Sequence, residues 1–513
     1  MSRKIGLSLF ILSFLSISFF SNVSAKSMDV SKENLNKVHS YVSEQFETAG
    51  IVGGSYAVVL NDQVIDSNGI GFSDLKLEQH ATSETIYAVA SVTKVLTAAA
   101  ILQLQEQGKL SIHDPVQKYL PWFTYKDKEK SKEVTIQHLL THSAGVNRLD
   151  ADGVIFTDEK KNRNSLEDSI RALNTVEMKY NPGEKGQYCN SCFNTLGLII
   201  EKVSGESYYD YMKTNVFQPI GMSHTAFGLE LKTLDSTNTA KEYSWFWGYR
   251  NTKLLNYQSF GKSQDPEGGI YTNSTDLARY VSSILGNGSS PILSQDSLID
   301  SFTGIVPTEH QPWKYTIGGF EASKLWGQQV VYKGGDGIGS SAAIMMLPEE
   351  KLGVVLIIGE SNSEPKQEIA KGMLQILMGE EPIKADYPPP LFKTAGMIML
   401  IVTLISLILF LLVALSVYKR VIRKDLSVKN WLLRMVISFL LLIISVPIGY
   451  LLLNVRITQI GFYGYPIDIA IGLISLEFTI IIAFSYHAFL AIFGRIQEKK
   501  NNKFIIQSNL KDL

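Results

Sequence analysis

Apolar positions in the first three quarters of the chain form two kinds of pattern. From Ser31 to Ala49 they recur every three or four residues, which predicts an amphipathic helix. Gly54 to Leu60 and Val64 to Phe72 are β-rich runs on either side of Asn61-Asp62, the pattern of a hairpin. Val92 to Gln107 and Phe193 to Val203 read as helices. Near the far end, Gln328 to Lys333, Ser340 to Leu347 and Leu352 to Gly359 are apolar runs separated by a Gly-rich turn and by Pro348-Glu349-Glu350-Lys351. A closing helix is expected from Lys366 to Met378. Strands at both ends with helices between predict an α+β fold. Strands from both termini share one antiparallel sheet, flanked by the first, last and Val92 helices, and the intervening residues form a helical lobe. A cleft between the two is the expected place for a site.

Longer apolar runs have a different meaning. Arg3 and Lys4 precede an uncharged stretch from Ile5 to Phe20, and Val23-Ser24-Ala25 supplies the small residues of a cleavage site, so residues 1–25 read as a signal peptide. No charge occurs from Thr394 to Tyr418, a length that spans a bilayer at about 1.5 Å per residue. Met435 to Leu453 and Ile467 to Phe493 repeat the pattern, giving three membrane helices within 394–495 and a cytoplasmic tail at 496–513. The first loop carries Lys419, Arg420, Arg423, Lys424 and Lys429, and the tail carries Arg495, Lys499, Lys500 and Lys503, whereas the second loop has only Arg456. The positive-inside bias places the basic loop and tail in the cytoplasm and the region from Lys26 to Lys393 outside it. Tyr387-Pro388-Pro389-Pro390, within a linker at 386–393, reads as a stiff spacer above the bilayer. Glu477 falls near the middle of the third apolar run, where a carboxyl is costly.

The net charge of -1, from 48 Lys+Arg against 49 Asp+Glu, leaves no basic excess for nucleic acid. The soluble part, about 360 residues, is large enough for two subdomains.

Candidate chemistry starts at Ser91-Val92-Thr93-Lys94. One helical turn brings positions i and i+3 onto one face, so the Lys94 amine can reach the Ser91 oxygen: a nucleophile with a base beside it. Tyr188 and Asn190, two residues apart in a loop before the Phe193 helix, place a phenol and an amide near each other. The phenol could relay a proton; the amide could hold a substrate or orient the lysine. Lys333-Gly334-Gly335, at a strand end before Asp336-Gly337, combines a cation for a carboxylate or a phenol with glycines that admit a substrate backbone.

Taken in this order, the three elements resemble the serine β-lactamase and penicillin-binding family, in its class C β-lactamase branch with D,D-peptidase and esterase relatives. Val134-Thr135-Ile136-Gln137-His138-Leu139-Leu140-Thr141-His142-Ser143-Ala144-Gly145, Leu196 to Gly205, Pro219-Ile220-Gly221-Met222 and Gly268-Gly269-Ile270-Tyr271 with Asp276-Leu277-Ala278 resemble further family segments. The resemblance implies a β-lactamase-like fold in which Ser91 becomes acylated, Lys94 accepts its proton through a lowered pKa, and Tyr188 delivers that proton to the leaving group. Asn190, Lys333, Gly334, Gly335 and Asp336 would contact substrate, with the backbone N–H groups of Ser91 and Asp336 as the oxyanion hole. No metal or organic cofactor is implied.

Two departures narrow the substrate. The family's β-lactamases have Thr or Ser where Gly334 stands, which weighs against efficient β-lactam hydrolysis, and the Ser-Asp-Asn loop of the class A branch, with its deacylating glutamate, is not seen. Cys189 and Cys192, the two cysteines of the chain, flank Asn190-Ser191 and could form a short-loop disulfide or remain thiols. His138 and His142 could mimic a metal pair, but lie in a segment expected to pack beside the site. Tyr243-Ser244-Trp245-Phe246-Trp247-Gly248-Tyr249 could pack the helical lobe, line an acyl pocket or rest on a membrane interface. The expectation is a membrane-embedded extracytoplasmic serine hydrolase acting on a small-molecule or peptide substrate, D-amino-acid amides or peptides first. A β-lactamase, a cell-wall D-alanyl esterase and a weakly catalytic penicillin-binding sensor are the alternatives.

Overall fold

The computed structural model describes residues 30–157, 165–228, 238–252, 262–286, 290–337, 339–360, 364–382, 384, 387 and 391–422. A helix, α1 (Lys32–Thr48), opens it, capped by the Ser31 hydroxyl, which accepts the Asn34 N–H. Two strands follow, β1 (Gly53–Leu60) and β2 (Gln63–Asp74), joined at Asn61-Asp62 with Asn61 in the left-handed region. Seven more strands complete the main sheet: β3 (Gln79–His80), β4 (Gly304–Pro307), β5 (Lys314–Thr316), β6 (Glu321–Leu325), β7 (Gln328–Asp336), β8 (Ser341–Leu347) and β9 (Leu352–Ile358). Their order is β3-β2-β1-β9-β8-β7-β6-β5-β4, antiparallel throughout. β1 pairs with β9 from Gly54↔Ile358 to Leu60↔Leu352, so the two ends of the soluble region close one sheet, as expected.

Side-chain alternation decides which helix covers which face. Tyr56 and Val58 of β1, with Met345 and Leu356, face α1 and the closing helix α5 (Glu364–Leu377) through Val38, Tyr41, Phe46, Ile369, Met373 and Leu374. Ala57 and Val59, with Ile344, Met346, Val355 and Ile357, face α2 (Thr93–Glu106) and α4 (Ser274–Leu285). Each such side chain is worth about 1.5–3 kcal/mol when fully removed from water. The α2 helix is buried on nearly every side, because α3 (Asn190–Ser204) of the helical lobe packs against the face the sheet leaves free. That sandwich fixes Ser91 and Lys94 at the junction of sheet and lobe.

Three expectations shift. The α3 helix starts at Asn190, so this residue is its first helical position and not a loop residue, with Cys189 as N-cap. The β7 strand runs to Asp336 and includes both glycines, because β8 continues the ladder from Lys333↔Ile344 to Asp336↔Ser341. The aromatic stretch forms a hairpin, Tyr243–Phe246 with Tyr249–Thr252, placed against the start of α6 (Leu391–Ile422). Trp245 lies between the guanidinium of Arg250, 4.8 Å away, and the Lys393 amine, 5.2 Å away.

The α6 helix is continuous for 32 residues, and Met397, Ile398, Ile401, Leu404, Ile405, Ile408, Leu411, Leu412 and Leu415 are exposed on it. Some of its side chains are outside the described set; among the described residues no helix is long and apolar enough to cross a membrane. The signal segment, the prolines of the linker, the second and third apolar runs and Glu477 lie outside the described residues.

Candidate active site

Ser91 sits in a tight turn, Ala90–Val92, immediately before α2. Ala90 has φ +44°, a left-handed conformation that costs a residue with a Cβ and is held here by the packing around it. The turn presents Ser91 at the helix N-terminus, where the macrodipole favours developing negative charge. Lys94 is fully buried, and its Nζ donates to Ser91 Oγ at 3.1 Å, so the i, i+3 geometry holds. The same amine donates to the backbone oxygen of Glu267 at 2.7 Å and to its Oε2 at 3.0 Å. An ammonium has three N–H donors, and these contacts use all three. The expectation for Lys94 considered partial desolvation and a second cation; the structure adds a carboxylate in direct contact. Removing one partner from such a buried pair typically costs about 3–5 kcal/mol.

Tyr188 reaches the same point from the other lobe and hydrogen-bonds Ser91. Three cations surround its ring, each 5.1 Å from the centroid: Lys94, Lys333 and Arg148. Burial by itself would raise the phenol pKa, but Lys333, Lys94 and Arg148, with the Ser91 hydrogen bond, bring it below the ordinary value. A phenol so treated can accept a proton and return it. Its backbone N–H donates to Glu309 Oε1 at 2.8 Å, and His142 stacks on its ring with centroids 4.5 Å apart. His142 Nδ1 accepts the Cys189 N–H at 3.0 Å. Burial, and then Lys333 and Lys94, hold its pKa well below the usual histidine value, so it is a neutral packing surface. His138 has a separate task, its Nδ1 accepting the Thr135 N–H in a capping box. Both histidines are thus engaged structurally.

Cys189 and Cys192 are disulfide-bonded, stapling the first turn of α3 directly after Tyr188. Asn190 does not contact Lys94 through its amide nitrogen, which donates instead to Asp152 Oδ2 at 3.0 Å. Its Oδ1 is buried without a partner among the described residues, an acceptor available to a substrate N–H. Asp152 also accepts the Ser191 N–H at 3.3 Å and lies 3.5 Å from Arg148. Burial pushes its pKa up to about 7, with Arg148 opposing and Glu267 adding to the rise.

The sign of that shift makes a prediction. A carboxyl raised on folding binds more protons in the native state between about pH 4 and about pH 7, so its contribution to stability is lost as pH rises through that window. The bound is about 4 kcal/mol, at 1.36 kcal/mol per pH unit. Unfolding of the wild type and of Asp152→Asn, measured from pH 4 to pH 7, should show the wild type losing ground to the variant as pH rises. A constant gap between them refutes the assignment.

Lys333 is buried and points from β7 toward Tyr188. The ladder with β6 stops at Glu321↔Tyr332 while that with β8 continues to Asp336, which leaves one backbone edge of Lys333–Asp336 without a paired strand among the described residues. An extended substrate can add to such an edge. Gly335 faces the nucleophile: a Cβ there would come 2.1 Å from Val89 O and 3.1 Å from Ser91 N. Gly334 faces the opposite side, where a Cβ would meet the Tyr332 hydroxyl at 2.5 Å and Lys366 Cε at 3.1 Å. A Thr or Ser at this position would point away from the nucleophile, toward the flexible tips of Tyr332 and Lys366. Lys366, nearly buried on α5, pairs with Asp336 Oδ1 at 2.6 Å and secures the end of the strand.

The structure thus brings Ser91, Lys94, Tyr188, Lys333 and Gly335 together, with Asn190 one shell away on Asp152 and Asp336 at the strand end. Glu267, Arg148, Asp152, His142, Glu309 and Lys366 were not assigned to the site from sequence. Glu267 carried a signal, a carboxylate directly before Gly268-Gly269; the others lie in no local pattern with the residues they meet.

A nucleophile, an amine and a low phenol at the junction of an antiparallel sheet and a helical lobe define a serine hydrolase domain of the acyl-transfer type. Residues 38–376 match the beta-lactamase family, and the chain belongs to it. Protein flp of Staphylococcus aureus (strain N315) is 26% identical over 346 residues, 65% of this chain and 65% of that protein, so the chain spans just under two thirds of the relative's length. Among solved structures, the octameric penicillin-binding protein homologue from Pyrococcus abyssi superposes with TM-score 0.60 at 28% identity, covering 71% of this chain and 81% of that one. EstCE1, a hydrolase with promiscuous acyltransferase activity, has TM-score 0.58 at 21% identity, covering 68% and 98%, and shares the fold.

Proposed function

We propose that this protein is a membrane-anchored, extracytoplasmic serine hydrolase that cleaves D-amino-acid amides or peptides through a Ser91 acyl-enzyme. The observation that carries the chemistry is the Tyr188 hydroxyl, bonded to Ser91 and held low by Lys333, Lys94 and Arg148. Ser91 Oγ attacks the substrate carbonyl carbon as its proton passes into the Lys94–Tyr188 pair, and the carbonyl electron pair moves onto oxygen, facing the Ser91 and Asp336 N–H groups. Collapse breaks the C–N bond and the leaving amine takes the proton. Water then attacks the ester, gives a proton to the same pair, and Ser91 leaves with it.

The D-amide preference rests on the resemblance to D,D-peptidases, the penicillin-binding homologue among the similar structures, and the edge of β7 that has no paired strand among the described residues, which suits a peptide backbone. The absence of a hydroxyl side chain at Gly334 weighs against β-lactam turnover as the main task. Anchoring rests on the charge asymmetry of the C-terminal quarter and on the exposed apolar side chains of α6.

Steady-state hydrolysis by the full chain in detergent, comparing acyl-D-amino amides, acyl-D-asparaginyl peptides, D-alanyl esters and a chromogenic cephalosporin, tests the reading. D-amides or D-peptides should give the highest kcat/KM by about tenfold or more, because the amine leaving group uses the full proton relay. A preference for D-alanyl esters or for the cephalosporin overturns the substrate class; acylation without turnover overturns the hydrolase reading in favour of a sensor.

A further inference from the structure

We infer that Glu267 is a positioning residue of the active site, which aims Lys94 at Ser91 and balances the cations about Tyr188; this rests on the reactive-serine reading above. The segment that carries it, Asp265–Gly268, is stitched to one face of α2. Thr97 Oγ1 donates to Pro266 O at 2.7 Å, Lys94 Nζ donates to Glu267 O at 2.7 Å, and the Ile270 N–H donates to Thr93 Oγ1 at 3.2 Å. Pro266 also fills the space above Gly197 of α3, where a Cβ would approach its ring to 2.3 Å. The Glu267 backbone is therefore fixed from two helices, and its carboxylate is brought to Lys94 by the fold and not by a flexible reach. The carboxylate is 12% exposed while Lys94 is fully covered, so the pair lies on the wall of the site.

Charge balance gives the carboxylate its purpose. Lys94 from α2, Lys333 from β7 and Arg148 from the helix Arg148–Thr157 place three cations about Tyr188. Among the described residues, the acidic groups facing this cluster are Glu267 in contact with Lys94, Asp152 beneath Asn190, Glu309 at the Tyr188 N–H, and Glu321 on β6, whose carboxyl feels Lys333; His142 is neutral. Glu267 is the one of these acids whose side chain contacts the amine next to the nucleophile. The Glu267 carboxylate stands 3.0 Å from the Lys94 amine and so offsets part of the positive field that holds the Tyr188 phenol below its ordinary value. Removing that negative charge leaves the three cations less opposed, so the proton affinity of Tyr188 must fall further.

The test is the pH dependence of covalent labelling by a fluorophosphonate probe, which needs no knowledge of the substrate: the Ser91 Oγ–P bond forms, fluoride leaves and the serine proton passes to the pair. The full chain in detergent is labelled across pH 5 to 10 as wild type, Glu267→Gln and Glu267→Asp. In Glu267→Gln the plateau rate should fall about tenfold or more, and the midpoint of the rise should move down by about half a pH unit or more. Glu267→Asp, which keeps the charge on a shorter arm, should lose rate yet keep the wild-type midpoint. An unmoved midpoint in Glu267→Gln makes the residue a packing element and overturns the inference, whatever the rate does. If Glu267→Gln does not fold, the aspartate variant decides alone: rate lost at a constant midpoint supports the role, and an unchanged rate or a shifted midpoint overturns it. Labelled wild type with these failures sinks only the role of Glu267; unlabelled wild type sinks the reactive serine and this inference together.

Discussion

Ser91→Ala should lose turnover by about a thousandfold or more and all covalent labelling by a fluorophosphonate or a fluorescent penicillin, with its thermal midpoint close to that of the wild type. The loss is large because the remaining groups act only through the nucleophile: Lys94 bonds Ser91 Oγ at 3.1 Å and Tyr188 bonds the same hydroxyl. Without an acyl-enzyme, only bound water at an oxyanion site remains. Stability is spared because the exchange removes a single oxygen from a partly open turn, and Lys94 keeps both of its Glu267 contacts. Labelling that survives in Ser91→Ala, read by gel fluorescence and intact mass, would place the nucleophile elsewhere.

The second large effect is expected from a residue with no chemistry of its own. Gly335→Ala should reduce kcat by about a hundred- to a thousandfold, comparable to the loss of an oxyanion-hole donor, while Lys94, Tyr188 and Ser91 remain unchanged in sequence. The added Cβ would lie 2.1 Å from Val89 O and 3.0 Å from Val92 N, atoms of the turn that holds Ser91, and none of these is the tip of a flexible side chain. Either the strand end or the nucleophile turn must retreat, which moves apart the proposed oxyanion donors, the Ser91 and Asp336 N–H groups. The cost in stability should be about 1–3 kcal/mol, the usual cost of overpacking. Chemical denaturation separates the two effects. Activity within threefold of wild type would show that β7 does not press on the Ser91 turn.

Much of the site was legible because its parts are local. Ser91 and Lys94 are one helical turn apart, and Lys333 to Asp336 are consecutive on a strand, so spacing alone predicted what each could reach. Asn190 was read less well: its place two residues after Tyr188 suggested a common direction, but Cys189 caps α3 at that point and the helix turns the amide toward Asp152. Gly334 was read as a missing hydroxyl, and only the structure shows that a side chain there would face Tyr332 and Lys366 on the side away from Ser91. The ion pair between Lys94 and Glu267 spans 173 residues of sequence. Its acid could be seen in the sequence, but its partner could not.

The sequence by itself determined the periodicities that make α1, the β1–β2 hairpin and the buried β8 and β9 strands, and the order of the three motifs, because helix and strand repeats and near-neighbour spacing are properties of a few consecutive residues. Tertiary structure alone decided the electrostatics of the site: which three cations lower Tyr188, which carboxylate meets Lys94, and why only glycine fits at 335. Those depend on distances between segments far apart in the chain, and Coulomb energy, desolvation and hard-sphere contact are set by such distances and not by order along the backbone.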